Sequence, residues 1–156
     1  MVKKLNFFGV GPKIGRIALP YFASAIALTI IFPDVCTFGE PIRKPLLIVG
    51  IILLASGLIL YAWTVRLLLK GLKETRLITS GTYRYCQNPL YAFIILMIIP
   101  GIGLIMNSWL ILTTIIIGYV VFKKFIKLEY KEMTEVFGEE YLKYKARTPE
   151  FFPFIR

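Results

Sequence analysis

Long apolar runs alternate along the chain with short polar connections, and the charges are confined to the connections. Four runs stand out: Ile17–Pro33, Pro45–Val65, Leu90–Met106 and Trp109–Phe122, none of which contains Asp, Glu, Lys or Arg. A helix needs ~20 apolar residues to cross a ~30 Å hydrocarbon layer. The pattern therefore predicts four transmembrane helices, at about 17–35, 45–66, 89–106 and 109–127. Only Asn107-Ser108 separates the last two runs, which predicts a tight helical hairpin. The fourth helix is expected to continue past the membrane surface, because Phe122, Ile126, Tyr130, Met133 and Phe137 recur at helical spacing. Gly138 interrupts this stripe. An amphipathic tail with Tyr141 and Tyr144 follows, and Pro149 and Pro153 end regular structure. Tyr141, Tyr144, Phe151, Phe152 and Phe154 suit a segment lying at the level of lipid headgroups. The expected fold is an all-α membrane protein, a single integral domain over 1–156.

Charge sets the orientation. Lys3, Lys4, Lys13 and Arg16 precede the first run, and Arg66, Lys70, Lys73, Arg76 and Arg84 lie between the second and third. Eight more basic residues follow Phe122, and only Arg43 and Lys44 fall on the opposite side, offset by Asp34 and Glu40. With 17 of 19 basic residues on one side, both termini and the long polar loop are expected in the cytoplasm. The net charge of +10 thus reads as a topology signal that also favours anionic headgroups, and not as a nucleic-acid surface. The first run follows basic residues as in a signal peptide. It is long for one and no small-residue cleavage site ends it, so it is read as a retained helix.

Composition narrows the chemistry. Of 156 residues, 57% are hydrophobic and 18% charged, so reactive groups must sit on the helices or in their short connections. There is no histidine, which removes Ser-His-Asp schemes and the usual zinc sites. Cys36 and Cys86 fall on opposite membrane faces in this topology, so no disulfide joins them and no metal is expected. Two places remain. Asn88-Pro89 reads as a helix start, with Asn88 as N-cap and proline at the first helical position. That start either is merely a good cap or offers its free backbone N–H groups to an anionic ligand, flanked by Tyr83 and Tyr91. Glu129 has Phe125, Ile126, Glu132 and Met133 as helical neighbours, so no intrahelical ion pair is available to it. Its carboxylate faces a ligand, faces solvent, or bridges to Arg76 or Arg84. Gly57, Gly101 and Gly103 read as close helix packing rather than a phosphate loop. Lys123, Lys124 and Lys127 read as inner-interface anchors that could also draw in an anionic substrate.

The stretch LITSGTYRYCQNPLY resembles the signature of the isoprenylcysteine carboxyl methyltransferases and their phospholipid methyltransferase relatives. Glu129 followed by FGEEYLKYKARTPEFFPFI resembles that family's closing motif, and the two blocks stand in the same order. The resemblance covers roughly 66–156, which would be the cofactor-binding half. It implies S-adenosyl-L-methionine as cofactor at the cytoplasmic face and a lipophilic small-molecule acceptor from the lipid bilayer. Arg76, Leu77 and Ile78 would line the adenosine pocket. Tyr83, Asn88, Pro89, Leu90 and Tyr91 would hold the methionine end, and Glu129 a hydroxyl or amino group. Asn88 and Gln87 replace the family's common histidine and arginine, and Tyr130 a second glutamate. The prenylcysteine enzymes carry a substrate-binding arginine where Phe125 stands here, beside Lys124. These two become the substrate-side candidates, and prenylcysteine carboxylate is disfavoured as acceptor. The competing readings are an NADPH-dependent membrane reductase of the sterol-reductase kind and a non-enzymatic membrane subunit.

Overall fold

The computed structural model of the chain describes residues 9–151, and these are helical nearly throughout. Lys3, Lys4, Phe152, Pro153, Phe154 and Arg156 lie outside the described residues. Helix α1 (Gly11–Ile31) starts on Pro12, where a missing N–H removes no helical bond, and stops before Pro33. It begins six residues earlier than the apolar run, so Lys13 and Arg16 are helical. A single turn, α2 (Pro33–Cys36), and a 3-10 turn at Glu40–Ile42 lead into α3 (Arg43–Glu74).

At 32 residues α3 runs well beyond its apolar core and carries Arg66, Lys70 and Lys73, which the hydropathy pattern left in the loop. Its stop is a Schellman turn. Thr75 takes a left-handed conformation (φ 49°), its N–H reaches the Leu72 carbonyl at 3.3 Å, and the Arg76 N–H reaches Gly71 at 3.1 Å. A 3-10 turn at Gly81–Arg84 then crosses back over α3, pinned by a 2.9 Å bond from Thr64 Oγ1 to Thr82 Oγ1 with both threonines buried.

The third apolar run forms α4 (Pro89–Phe93), a π-helical turn (Ile94–Ile98) and α5 (Ile99–Ile105) in one continuous stretch. The π turn ends two residues before Pro100, whose nitrogen has no hydrogen to donate to the preceding turn. Asn107 (φ 55°) reverses the chain, and Ser108 Oγ caps the next helix by accepting from Ile111 N at 3.2 Å. That helix comprises α6 (Trp109–Leu112) and α7 (Thr114–Arg147). Three helices are long and apolar enough to cross a membrane: α1, α3 with the turn before it, and α6 with α7. The stretch Pro89–Ile105 is apolar but shorter.

Small residues decide how these helices meet. Gly50, Gly57, Thr64 and Gly71 recur every seven residues along α3 and are all buried. A Cβ on Gly50 would stand 2.9 Å from the Gly101 carbonyl, and one on Gly101 would stand 2.8 Å from the Leu54 nitrogen. A Cβ on Gly57 would stand 2.8 Å from Met97 Cβ. The glycines of the second and third runs therefore serve close packing, as their apolar setting implied. Elsewhere the core is aromatic: Phe122 is fully buried, 4.8 Å from Phe151 and 5.4 Å from Tyr91 between ring centroids.

Gly138 takes φ 52°, ψ −128°, breaking α7 as the sequence predicts, and aromatic side chains beyond it turn into the protein. Tyr141 and Tyr144 are buried, and Tyr144 Oη donates to the Tyr83 carbonyl at 2.7 Å. Phe151 is also buried, in the aromatic core. The turn at Gly138 swings the helix back onto the loop, where these rings find more apolar cover than an interface gives. Gly138→Ala meets no neighbour within 4 Å, yet its backbone region is nearly closed to L-residues. We expect it to cost ~1–3 kcal/mol, read as a lower thermal midpoint in detergent. An unchanged midpoint would show that the segment docks without that turn.

Candidate active site

Where α3 ends, the loop to Asn88, the start of α4 and the C-terminal half of α7 border a cavity of about 980 Å³. This is at the upper end of small-molecule sites, ~300–1,000 Å³. All nine residues singled out in sequence for cofactor contact line it: Arg76, Leu77, Ile78, Tyr83, Asn88, Pro89, Leu90, Tyr91 and Glu129. The two substrate-side candidates do not. Phe125 packs against the core of the bundle, and Lys124 Nζ lies 5.7 Å from its ring centroid.

Glu129 is held at one edge of the cavity. Its Oε2 accepts from the Val10 N–H at 3.2 Å and from Tyr91 Oη at 3.1 Å. Among the described residues no lysine or arginine pairs with it, so neither Arg76 nor Arg84 supplies the bridge weighed from sequence. Arg76 pairs instead with Glu74 at 2.6 Å. The chain passes Glu129 at Gly9 (φ 46°), where a Cβ would stand 2.5 Å from Oε2. A carboxylate with two neutral donors, and no counter-ion among the described residues, has capacity left for a cationic or hydroxyl-bearing ligand.

Asn88 occupies the N-cap position expected of it, but its side chain does not cap. Its Nδ2 donates to Tyr130 Oη at 2.6 Å and to the Glu150 carbonyl at 2.8 Å, tying α4, α7 and the tail together. Gln87 does similar work: Nε2 donates to Thr148 O at 2.6 Å and its backbone N–H to Pro149 O at 2.9 Å. Gln87 Oε1, on a cavity-lining residue, is buried with no partner among the described residues. Burial, reinforced by Glu129 and Cys86, pushes the Tyr83 phenol well above its ordinary range, so it stays a hydrogen-bond donor at neutral pH. Burial likewise pushes the Cys86 thiol up to about 11, partly offset by the Asn88 backbone, which leaves it a poor nucleophile.

Sequence reasoning missed the rest of the wall. Gly9, Pro12, Arg16 and Leu19 come from the start of the chain, and Tyr61, Val65 and Leu68 from α3. Tyr141 and Tyr144 close the remaining side. The seven-residue spacing of small residues in α3 was the available signal for how that helix seats. Nothing local marks the α1 residues.

A family model of phospholipid methyltransferases matches residues 45–140, the segment that carries the loop, Asn88, Tyr91 and Glu129. The chain belongs to the phospholipid methyltransferase family. Among curated proteins, the cobalt-zinc-cadmium resistance protein CzcN of Cupriavidus metallidurans is 30% identical over 118 residues, 75% of this chain and 52% of its own length. The chain thus spans about half the length of that relative. No solved structure matches it. The family and the three long apolar helices make this a membrane protein of a methyltransferase family.

Proposed function

We propose that the chain is an integral membrane methyltransferase that uses S-adenosyl-L-methionine and passes its methyl group to a small lipophilic acceptor, a carboxylate or a lipid amine. The observation that carries the reading is one cavity that gathers Leu77, Ile78, Tyr83 and Gln87–Tyr91 of the loop motif with Glu129, residues separated by 38 positions between Tyr91 and its carboxylate partner. The charge asymmetry supports a cytoplasmic setting for the cavity and both termini. In this topology Pro89–Ile105 would be a fourth, short crossing paired with the next helix across Asn107-Ser108.

The lining fits the cofactor. Leu77, Ile78, Met133 and Phe137 offer apolar surface for a planar base, and the first backbone N–H groups of the helix at Pro89 suit a carboxylate. Glu129 has an acceptor to spare for a hydroxyl or ammonium group. When bound, the cofactor supplies a methyl carbon on a positively charged sulfur, already activated for transfer. The protein's own task is alignment and exclusion of water, which can contribute ~7–11 kcal/mol to a two-body reaction. Asn88, fixed by Tyr130 and the Glu150 carbonyl, keeps the start of α4 rigid; Tyr141 and Tyr144 cover the site from the tail side. A carboxylate acceptor is already ionised near pH 7 and needs no base, consistent with a lining that has no histidine. An amine acceptor would first have to shed a proton.

Calorimetry on the purified protein with S-adenosylhomocysteine and, separately, NADPH tests this. Saturable binding of the former alone is the expected result. Binding of NADPH instead moves the chain to the reductase reading, and binding of neither leaves a structural subunit.

A further inference from the structure

The wall of the cavity opposite the loop is built from two helices whose lining residues run in stripes. On α1, Pro12, Arg16, Leu19 and Pro20 recur at three or four positions; on α3, Tyr61, Val65, Leu68 and Leu72 do the same. The packing of α1 is chiefly against α7 and α6, whereas α3 packs chiefly against α5 and its neighbours. Both nevertheless border the cavity, so its wall there is a cleft between two helices that pack chiefly on others, and Leu19 on that wall is 65% exposed. Every residue of these two stripes is uncharged except Arg16. Its side chain makes no hydrogen bond or ion pair with the described residues.

Three facts make Arg16 the cation available to a ligand here. The other cation on the lining, Arg76, is engaged by Glu74. Lys124 and Phe125, at the position expected from sequence, lie outside the cavity. The acidic groups of the lining, Glu129 and Glu132, come from α7, and Glu129 is held by the Val10 N–H just before α1, so an anion bound by Arg16 sits further along α1, toward Leu19 and Pro20. We infer that Arg16 is a specificity-determining residue that binds an oxyanion of the methyl acceptor, a phosphate or a carboxylate, while the acceptor's apolar chain lies between α1 and α3. The planar guanidinium suits two-point binding of either group. It stands in the second turn of α1, just before the apolar run, where a headgroup oxyanion would meet it with the apolar stripe of α3 beside the chain. This assignment rests on the methyltransferase reading only in calling the bound amphiphile the acceptor.

The test uses the full chain in phosphatidylcholine nanodiscs and three photoreactive twelve-carbon probes with a tail diazirine, headed by phosphate, carboxylate or hydroxyl. Labelling is mapped by peptide mass spectrometry. An anionic probe is expected to label the α1–α3 cleft roughly fivefold more than the alcohol. Arg16→Ala should remove that preference with the thermal midpoint unchanged, and Arg16→Lys should keep part of it. Preference for phosphate over carboxylate, or the reverse, names the source of the oxyanion. Equal labelling by all three probes, or a preference that survives Arg16→Ala, overturns the inference. Failure of the unsubstituted protein to bind S-adenosylhomocysteine, with an Arg16-dependent preference intact, would remove the methyltransferase reading and leave the anion site standing.

Discussion

Glu129→Ala should weaken S-adenosylhomocysteine binding at least tenfold while leaving the protein folded. The expectation follows from what the carboxylate already does. Two neutral donors, the Val10 N–H and Tyr91 Oη, converge on Oε2. They fix its direction and do not cancel its charge. A hydrogen bond from a ligand to a charged group contributes ~1.5–3 kcal/mol, which converts to about tenfold or more in affinity. Alanine also leaves Val10 N–H and Tyr91 Oη without their acceptor, so part of any loss reflects a loosened wall. Glu129→Gln separates the two effects, because an amide oxygen can still accept from both while carrying no charge. If charge matters, the glutamine variant falls between the other two; if only wall geometry matters, it matches the original. Full-strength binding in Glu129→Ala would remove Glu129 from the site.

The parts of this site that were legible in sequence are those encoded locally. Asn88-Pro89 announces a helix start, and its position is as expected, because cap chemistry depends on a few neighbouring residues. Glu129 stood out because its own helix offers it no partner, which is also a local property. The use made of Asn88 was not legible. Its amide turns away from the N-cap role toward Tyr130 and Glu150, 42 and 62 positions distant, and no spacing rule reaches that far. The tail shows a different limit. Tyr141 and Tyr144 have the amphipathic pattern of a segment at a lipid surface, and an interior wall formed by the same chain satisfies that pattern equally well. Their burial comes with the turn at Gly138. Helix lengths were not legible for a third reason: hydropathy marks the apolar stretch, whereas hydrogen bonding carries α3 on to its Schellman stop at Thr75. Arg16 was counted as a topology charge, since in sequence it stands with Lys13 before the first run.

The largest stability effect should come from Gly101→Val. Here the obstacle is backbone, not a side chain that can rotate away: a Cβ would stand 2.8 Å from the Leu54 nitrogen and 3.0 Å from the Gly50 carbonyl. The two helices must separate, losing close contact along the whole Gly50–Gly57 stripe. Overpacking of this kind costs ~1–3 kcal/mol, and the rigid partner puts Gly101 at the upper end. For a chain of this size each kcal/mol corresponds to ~2–4 °C, so a fall of roughly 5–10 °C in thermal midpoint is expected. Gly50→Ala attacks the same contact from the other helix, with a Cβ 2.8 Å from the Ile105 nitrogen. The pair gives a sharper test than either alone. Once one Cβ has parted the helices, the second meets open space, so the double variant should lose clearly less than the sum of the singles. Strict additivity would mean that each glycine is tolerated or resisted by its own surroundings, and that α3 and α5 do not meet through this contact. Because α3 also supplies Tyr61, Val65 and Leu68 to the cavity wall, the same separation should loosen ligand binding in proportion to the lost stability.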